Sequence, residues 1–378
     1  MYFILQSFLF VSCTYLGFLL SKKDKNIYFW MMVIIYTLIE GLRFGRGIDY
    51  NVYVYVYDNV ERFGEYSSSE SFIFNALCLL LTKLGMPYQA LIMVCSFILA
   101  FCGFTFLRRY RECLVFSVPL FIMLSLSAEN LFRWYTGFSF ILMALLSYLD
   151  GRKKWFFFFL FIACGIHPAL LLIVPVFWYC LHRGEKILLN PWLAFGIYII
   201  FSAVWDNSIM LRFTKLLPFL LGNSEHYSGY SDNAEMWLTS SNRNEYKIGF
   251  ITIIRLIISF PFYLFVGKKL VETKPKLTPY YNMLVLGIVS YPVVHIELAN
   301  RYNQLLVFFE CVIGAYCYLY VIRQKIKTHM VVAILSILLV CGHIVRIIRK
   351  TTMGSKWETM YIWEADGLRT VPIKYWEK

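Results

Sequence analysis

Charge is what this chain has least of. Acidic and basic residues together make up 16% of its 378 positions, hydrophobic residues make up 59%, and the mean hydropathy is +0.61. A soluble domain carries about a quarter of its residues as charges, so this composition excludes one and places the chain in a bilayer. The ten cysteines form no CxxC pair and no Cys/His spacing of the zinc type; Cys95, Cys102, Cys164 and Cys341 lie inside apolar runs and read as small hydrophobic residues. There is no glycine-rich phosphate loop, no DxD-type acidic pair and no His/Asp metal cluster, so neither a cofactor nor a metal is expected. No internal repeat or inverted symmetry is evident, which weighs against a secondary transporter. The net charge of +13 does not point to nucleic acid, because Lys and Arg sit in short clusters between apolar runs, as they do in cytoplasmic loops.

What is present is a series of apolar stretches long enough, or nearly so, to cross about 30 Å of hydrocarbon. They run over Met1–Leu20, Ile27–Leu42, Tyr88–Leu107, Cys113–Ser127, Leu131–Leu149, Asn190–Trp205, Tyr246–Val266, Tyr280–Leu298, Tyr302–Ile322 and Thr328–Ile348, about ten crossings. The first has no basic region before it and no small-residue cleavage pattern near its end, so it reads as a span and not as a signal peptide. The expected fold class is all-α, a polytopic transmembrane bundle. Aromatic residues, at 19%, suit broad interfacial belts of Tyr and Trp.

Two apolar stretches are irregular. Ser71–Leu84 is short and polar at its start, and Trp155–Leu181 is broken by Gly165, His167 and Pro168. The basic clusters constrain both. Lys22, Lys23 and Lys25; Arg108, Arg109 and Arg111; Arg152, Lys153 and Lys154; Arg183 and Lys186; Lys268, Lys269, Lys274 and Lys276; and Arg323, Lys325 and Lys327 should all be cytoplasmic. With both termini outside, this holds only if Ser71–Leu84 does not cross and Trp155–Leu181 is a re-entrant or broken helical hairpin bent near His167 and Pro168. A twelve-residue helix rises about 18 Å, so the bend passes the midplane and His167 faces the outer side. The expected organisation is one transmembrane domain over residues 1–348, with external loops at 43–70 and 206–245, and an external tail at 349–378.

One polar strip stands out. Immediately after the second apolar stretch come Arg43, Arg46, Gly47, Asp49, Tyr50 and Tyr53, with Tyr57 beyond. Two arginines, an acid and several tyrosines at a membrane edge read as one wall of a substrate site. Each candidate also has a plainer reading. Arg43 and Arg46 could anchor a span to lipid headgroups, Asp49 could pair with either, and Glu129 and Arg133 could satisfy each other one helical turn apart. His167 could occupy backbone groups freed by the helix break, and Arg301 could snorkel from a helix end. The long outer loop, rich in Asn, Ser and Tyr, suits carbohydrate hydroxyls and ring faces equally as well as solvent.

The pattern Arg43-x-x-x-Gly47-x-Asp49-Tyr50-x-x-Tyr53, with Asn130-x-x-Arg133 opening a later span, His167 in a broken apolar segment and Arg301-Tyr302 starting a late span, resembles the EpsG-like, Wzy-type polysaccharide polymerases. Trp134 stands where a Gln often follows the second motif's Arg, and Pro168-Ala169-Leu170 replaces a Ser or Thr that often follows the His. The resemblance implies a membrane glycosyltransferase of GT-C-like architecture in the bacterial inner membrane, its site facing the periplasm or cell exterior. It would join oligosaccharide repeat units carried on undecaprenyl diphosphate into O-antigen, capsule or exopolysaccharide, without metal or nucleotide sugar. Its partners would be lipid-linked donor and acceptor, the bilayer and a chain-length regulator, with no nucleic acid. In that scheme Arg43, Arg46, Arg133 and Arg301 hold diphosphate, a task suited to the planar, always-charged guanidinium. Tyr50, Tyr53 and Tyr57 give stacking surfaces for sugar rings, Asn130 and Tyr302 bind substrate, and His167, or else Asp49 or Glu129, takes the acceptor's proton. A polysaccharide ligase, a membrane O-acyltransferase and a flippase are the rival classes.

Overall fold

The computed structural model describes residues 1–47, 49–63, 71–204, 255–293, 297–323, 329–353 and 356–371. Among them the chain is helical, with one isolated antiparallel bridge, Arg43 to Tyr361, and no strand. In a bilayer a helix satisfies its own backbone groups, which is why long apolar runs take this form. Among the described residues four helical segments are, by length and composition, long and apolar enough to cross a membrane: Tyr2–Lys22, Tyr88–Arg108, Arg111–Glu129 and, taken across a turn at Phe308–Phe309, Asn300–Arg323. Shorter apolar helices include Asn26–Gly41, Phe72–Lys83, Pro168–His182 and Pro191–Val204. The chain divides into two compact units, Met1–Val174 with Lys325–Lys378, and Pro175–Gln324.

The first unit contains α1 (Tyr2–Lys22), α2 (Asn26–Gly41), α3 (Tyr50–Phe63), α4 (Phe72–Lys83), α5 (Tyr88–Arg108), α6 (Leu114–Ser125), α7 (Phe132–Leu149) and α8 (Lys153–Ile166). α1 shows how the bundle is held. It packs on α2 and α6, and its Leu9, Phe10, Cys13, Leu16 and Leu20 are buried, whereas Ile4, Phe8, Val11 and Tyr15 are exposed. Apolar residues on the outward face are what a lipid-facing helix presents. Asp24 pairs with Arg108 at 2.6 Å and with Arg111 at 3.3 Å, and Arg109 pairs with Asp150. Three of the basic loops therefore share one end of this unit.

The opposite end carries the polar strip. α4 lies at that end and does not run between the two: its start packs Ile73 against Gly165 of α8, and it leads to Met86, whose carbonyl accepts from the Tyr57 hydroxyl at 2.6 Å. α7 and α8 are antiparallel along their length, with ring contacts at Tyr148–Phe156, Phe140–Phe159 and Trp134–His167. α8 stops where expected. His167 is extended, at φ −146° and ψ 99°, because a following proline disfavours the helical conformation. The 3-10 turn Pro168–Leu172 then packs back on α7 and α8. The last long helix, α15 (His329–Met353), runs five residues past the span read from hydropathy and packs on α1.

The second unit contains α9 (Val174–His182, from its second residue), α10 (Pro191–Val204), α11 (Phe260–Thr273), α12 (Thr278–Ser290), α13 (Glu297–Val307) and α14 (Glu310–Arg323). α11 follows a π turn, Arg255–Ser259, and extends beyond the expected end at Val266; residues 246–254 of that expected span lie outside the described residues. The stretch Tyr280–Leu298 is not one helix. α12 gives way to a 3-10 turn at Tyr291–Val293, where Pro292 cannot supply a helical N–H. The run Tyr302–Ile322 is divided at Phe308–Phe309. The buried Glu310 that opens α14 accepts from the Tyr263 hydroxyl at 2.9 Å. The loop 206–245 and Trp376 lie outside the described residues.

Candidate active site

The strip begins where α2 ends. Arg43 is 3% exposed and its guanidinium is engaged by the protein: it donates to the Glu40 carbonyl at 2.7 Å, to Ser96 Oγ at 3.4 Å and to the Ala128 carbonyl at 3.5 Å. It thereby ties α2 to α5 and to the 3-10 turn Leu126–Glu129. Arg46 is wholly buried. Its Nη1 lies 3.2 Å from Glu129 and 3.9 Å from Glu40, and its guanidinium is stacked between the rings of Tyr361 at 4.3 Å and Tyr2 at 4.7 Å. Burial alone would lower its pKa, but the Glu129 and Glu40 carboxylates and the two phenols outweigh that and hold it above the usual arginine value.

Glu129 does not pair with Arg133, the alternative one helical turn away. Its carboxylate takes Arg46 on one oxygen and Lys350, from α15, on the other. Glu40 accepts from Gln6 of α1 at 2.6 Å. The result is a buried ionic knot of Glu40, Arg43, Arg46, Glu129 and Lys350, drawn from α2, the strip, the 126–129 turn and α15. A cavity with room for about one water lies beside it, lined in part by Tyr36, Glu40, Arg43, Ser96, Ser125 and Glu129. Sequence reasoning missed Glu40 and Lys350. Glu40 was visible as an acid inside an apolar run, and Lys350 as a base at the last helix end.

Gly47 brings the strip onto the turn. It has φ +95°, and a Cβ there would lie 2.6 Å from Asn130 Cα; only glycine combines that conformation with that approach. The closeness lets the Asn130 side chain accept from the Asp49 backbone N–H at 3.1 Å, just ahead of α3. α3 is amphipathic. Tyr50, Tyr53, Val54, Tyr57 and Val60 face inward, at helical spacing. Tyr50 meets Phe44 and Tyr88, Tyr53 lies 4.1 Å from Phe132, and Tyr57 meets Tyr88. These tyrosines are packed against protein, whereas Tyr55 on the far face is exposed.

Beyond the knot lies a second group, half-buried instead of buried: Asp49, Asn130, Arg133 and His167. Arg133 opens α7 one turn after Asn130, its guanidinium 5.8 Å from the Tyr53 ring and 5.6 Å from Phe74. His167 is set edge-on to Trp134, with ring centroids 4.9 Å apart. It comes this close because Gly137, one turn along α7, leaves room for Leu170 and for His167 Cβ. The structure thus brings the strip, Glu129, Asn130, Arg133 and His167 to one end of the first unit. Arg301 and Tyr302 belong to α13 of the second unit.

The C-terminal segment completes this end. Phe44 N–H donates to the Met360 carbonyl at 3.0 Å and Ile362 N–H to the Leu42 carbonyl at 3.1 Å, around the Arg43–Tyr361 bridge. Asn51 and Val371 exchange a pair of hydrogen bonds at 2.6 and 2.8 Å, and Arg369 reaches Asp58 and Glu61 of α3. The tail is a strap across the strip.

A helical protein with membrane-length apolar segments, whose exposed helix faces are themselves apolar, is a membrane protein. The chain belongs to the EpsG family, whose model matches residues 2–358. Strap residues 359–371 lie beyond the match. No curated protein and no solved structure matches the chain. Among the described residues no group of three or more His, Cys, Asp or Glu side chains is placed to hold a metal ion.

Proposed function

We propose that this protein is the polymerase that joins lipid-linked oligosaccharide repeat units into a surface polysaccharide, acting at the outer face of a bacterial inner membrane on units carried by undecaprenyl diphosphate. EpsG family membership over nearly the whole chain supports the polysaccharide-synthesis setting. The observation that carries the catalytic reading is the half-buried group Asp49, Asn130, Arg133 and His167 at the end of the first unit opposite the basic loops.

In this reading the acceptor sugar hydroxyl attacks the donor's anomeric carbon. The new glycosidic C–O bond forms as the bond to diphosphate breaks, the diphosphate leaves with the bonding electrons, and the proton passes to His167 acting as base. Arg133 stabilises the charge on the departing phosphate, for which a guanidinium fork is suited. Arg43 and Arg46 act from behind, through the knot that fixes the turn before Arg133. Glu129, gripped by two cations, is a poorer base than His167, and Asp49 remains the second candidate. Arg301 and Tyr302 are assigned to substrate by their motif alone.

The test is chain extension by purified protein in lipid nanodiscs, supplied with lipid-linked repeat units and a chelator. A ladder of products is expected, and Arg133→Lys should lose it at normal protein levels, since Lys keeps the charge but not the fork. Transfer of single units to another acceptor would instead mean a ligase, translocation without bond formation a flippase, and a strict divalent-metal requirement would sink the scheme.

A further inference from the structure

We infer that Lys350 is a positioning residue for this site, and that α15 and the strap serve as the element that sets the 126–133 segment in place. The inference rests on the polymerase reading for its kinetic arm, but its structural arm stands alone.

Three observations converge. First, Glu129 is the residue immediately before Asn130, and its carboxylate is 7% exposed and gripped by Lys350 on one side and Arg46 on the other. A buried carboxylate needs such partners to stay charged, and losing one leaves an uncompensated charge that must be relieved by movement or protonation. Second, the displaced atoms would matter. Asn130 holds the start of α3 through the Asp49 N–H, and Arg133 follows one turn later. Third, Lys350 is carried on α15, the helix that leads directly into the strap, and Tyr361 of the strap stacks on the same Arg46 that grips Glu129. Strip, turn and strap therefore share one charged junction. Lys350 contacts Glu129 and the Tyr2 ring, at 5.6 Å, so it acts through other residues.

Position is what such a residue supplies, and a displacement of about 1 Å in a site can cost about 100-fold in rate. Lys350→Met keeps an unbranched side chain one atom shorter and removes its charge. Its expected effect is a fall in kcat of about 100-fold for chain extension with KM for the lipid-linked donor changed less, while Lys350→Arg recovers most of the rate. The paired change Glu129→Gln with Lys350→Met leaves no carboxylate short of a cation while Arg46 keeps Glu40, and it should recover much of the activity that Lys350→Met alone loses. The second readout needs no activity: Lys356 is exposed but the Trp357 that follows it is buried beside Phe44, so in nanodiscs trypsin cleavage between them depends on release of Trp357, and it should speed up in Lys350→Met but not in Lys350→Arg. If wild-type protein extends no chains, the polymerase reading fails and proteolysis alone decides the positioning. If Lys350→Met does not insert, the pair Glu129→Gln with Lys350→Met decides: accumulation with a protected strap supports the junction, and failure to accumulate overturns it. Wild-type kinetics together with unchanged proteolysis in Lys350→Met also overturns it.

Discussion

The two groups of charged residues at this end of the protein have similar composition and different surroundings. In the knot, Arg43, Arg46, Glu40 and Glu129 are buried and each carboxylate faces a cation. In the outer group, Asp49, Arg133 and His167 are half-buried, with Arg133 over the rings of Tyr53 and Phe74 and His167 edge-on to Trp134. A wholly buried guanidinium facing carboxylates stabilises a fold, whereas a half-buried one is placed where a charged ligand can reach it. The difference teaches that an arginine's proximity to a motif is a weaker guide to its role than its burial and the carboxylates that face it.

The largest effect expected from this contrast falls on His167. Removing a catalytic base costs about 100- to 10,000-fold in rate, so both His167→Ala and His167→Gln should erase chain extension while protein accumulates normally. A histidine that only satisfied the backbone at the break before Pro168 could be replaced by Gln, which still donates and accepts. Near-normal turnover of His167→Gln would end its assignment as base and pass that role to Asp49.

The knot should fail in the other way. Arg46→Met leaves Glu129 and Glu40 short of a buried partner, a change that costs about 3–5 kcal/mol. The expected outcome is loss of folded protein from the membrane, read as detergent-extractable monodisperse material, and not a stable but inactive enzyme. Full accumulation with selective loss of activity would show that Arg46 faces substrate and would erase the distinction between the two groups.

Much of this arrangement was legible in the sequence, for identifiable reasons. Helix positions followed from apolar runs, and the break at His167 from the proline after it. The early spans were read nearly to the residue because their ends carry Lys, Arg or Gly. The later ones were not: Pro292 ends α12 inside an apolar run, and the division at Phe308–Phe309 has no proline or glycine to announce it. The site was legible as a set of residues but not as a set of partners. Glu129 and Arg133 are spaced for an ion pair, yet Glu129 finds Arg46, 83 positions away, and Lys350, 221 positions away. The inward turn of Tyr50, Tyr53 and Tyr57 follows helical spacing, but what they pack on comes from α4, α5 and α7. The strap was read as a tail because nothing in its composition says that Asn51 will bond Val371.

The smallest effect is expected at the strap's exposed rim, and it sets the lower bound of the comparison. Arg369 and Glu61 are each half exposed, and Arg369 also reaches Asp58. Exposed ion pairs contribute about 0–1 kcal/mol and are screened at physiological salt. The strap meanwhile keeps its paired bonds between Asn51 and Val371, its bridge at Arg43 and Tyr361, and the ring of Trp357 beside Phe44. Arg369→Ala should therefore leave chain extension within about twofold of wild type, on the scale of an exposed pair, and should raise trypsin cleavage after Lys356 only slightly, with the small difference vanishing as salt is added. If Arg369→Ala frees the strap as fully as Lys350→Met does, then the exposed rim and not the buried junction holds the C-terminal segment. Burial would then not be what separates the structural charges of this protein from its functional ones.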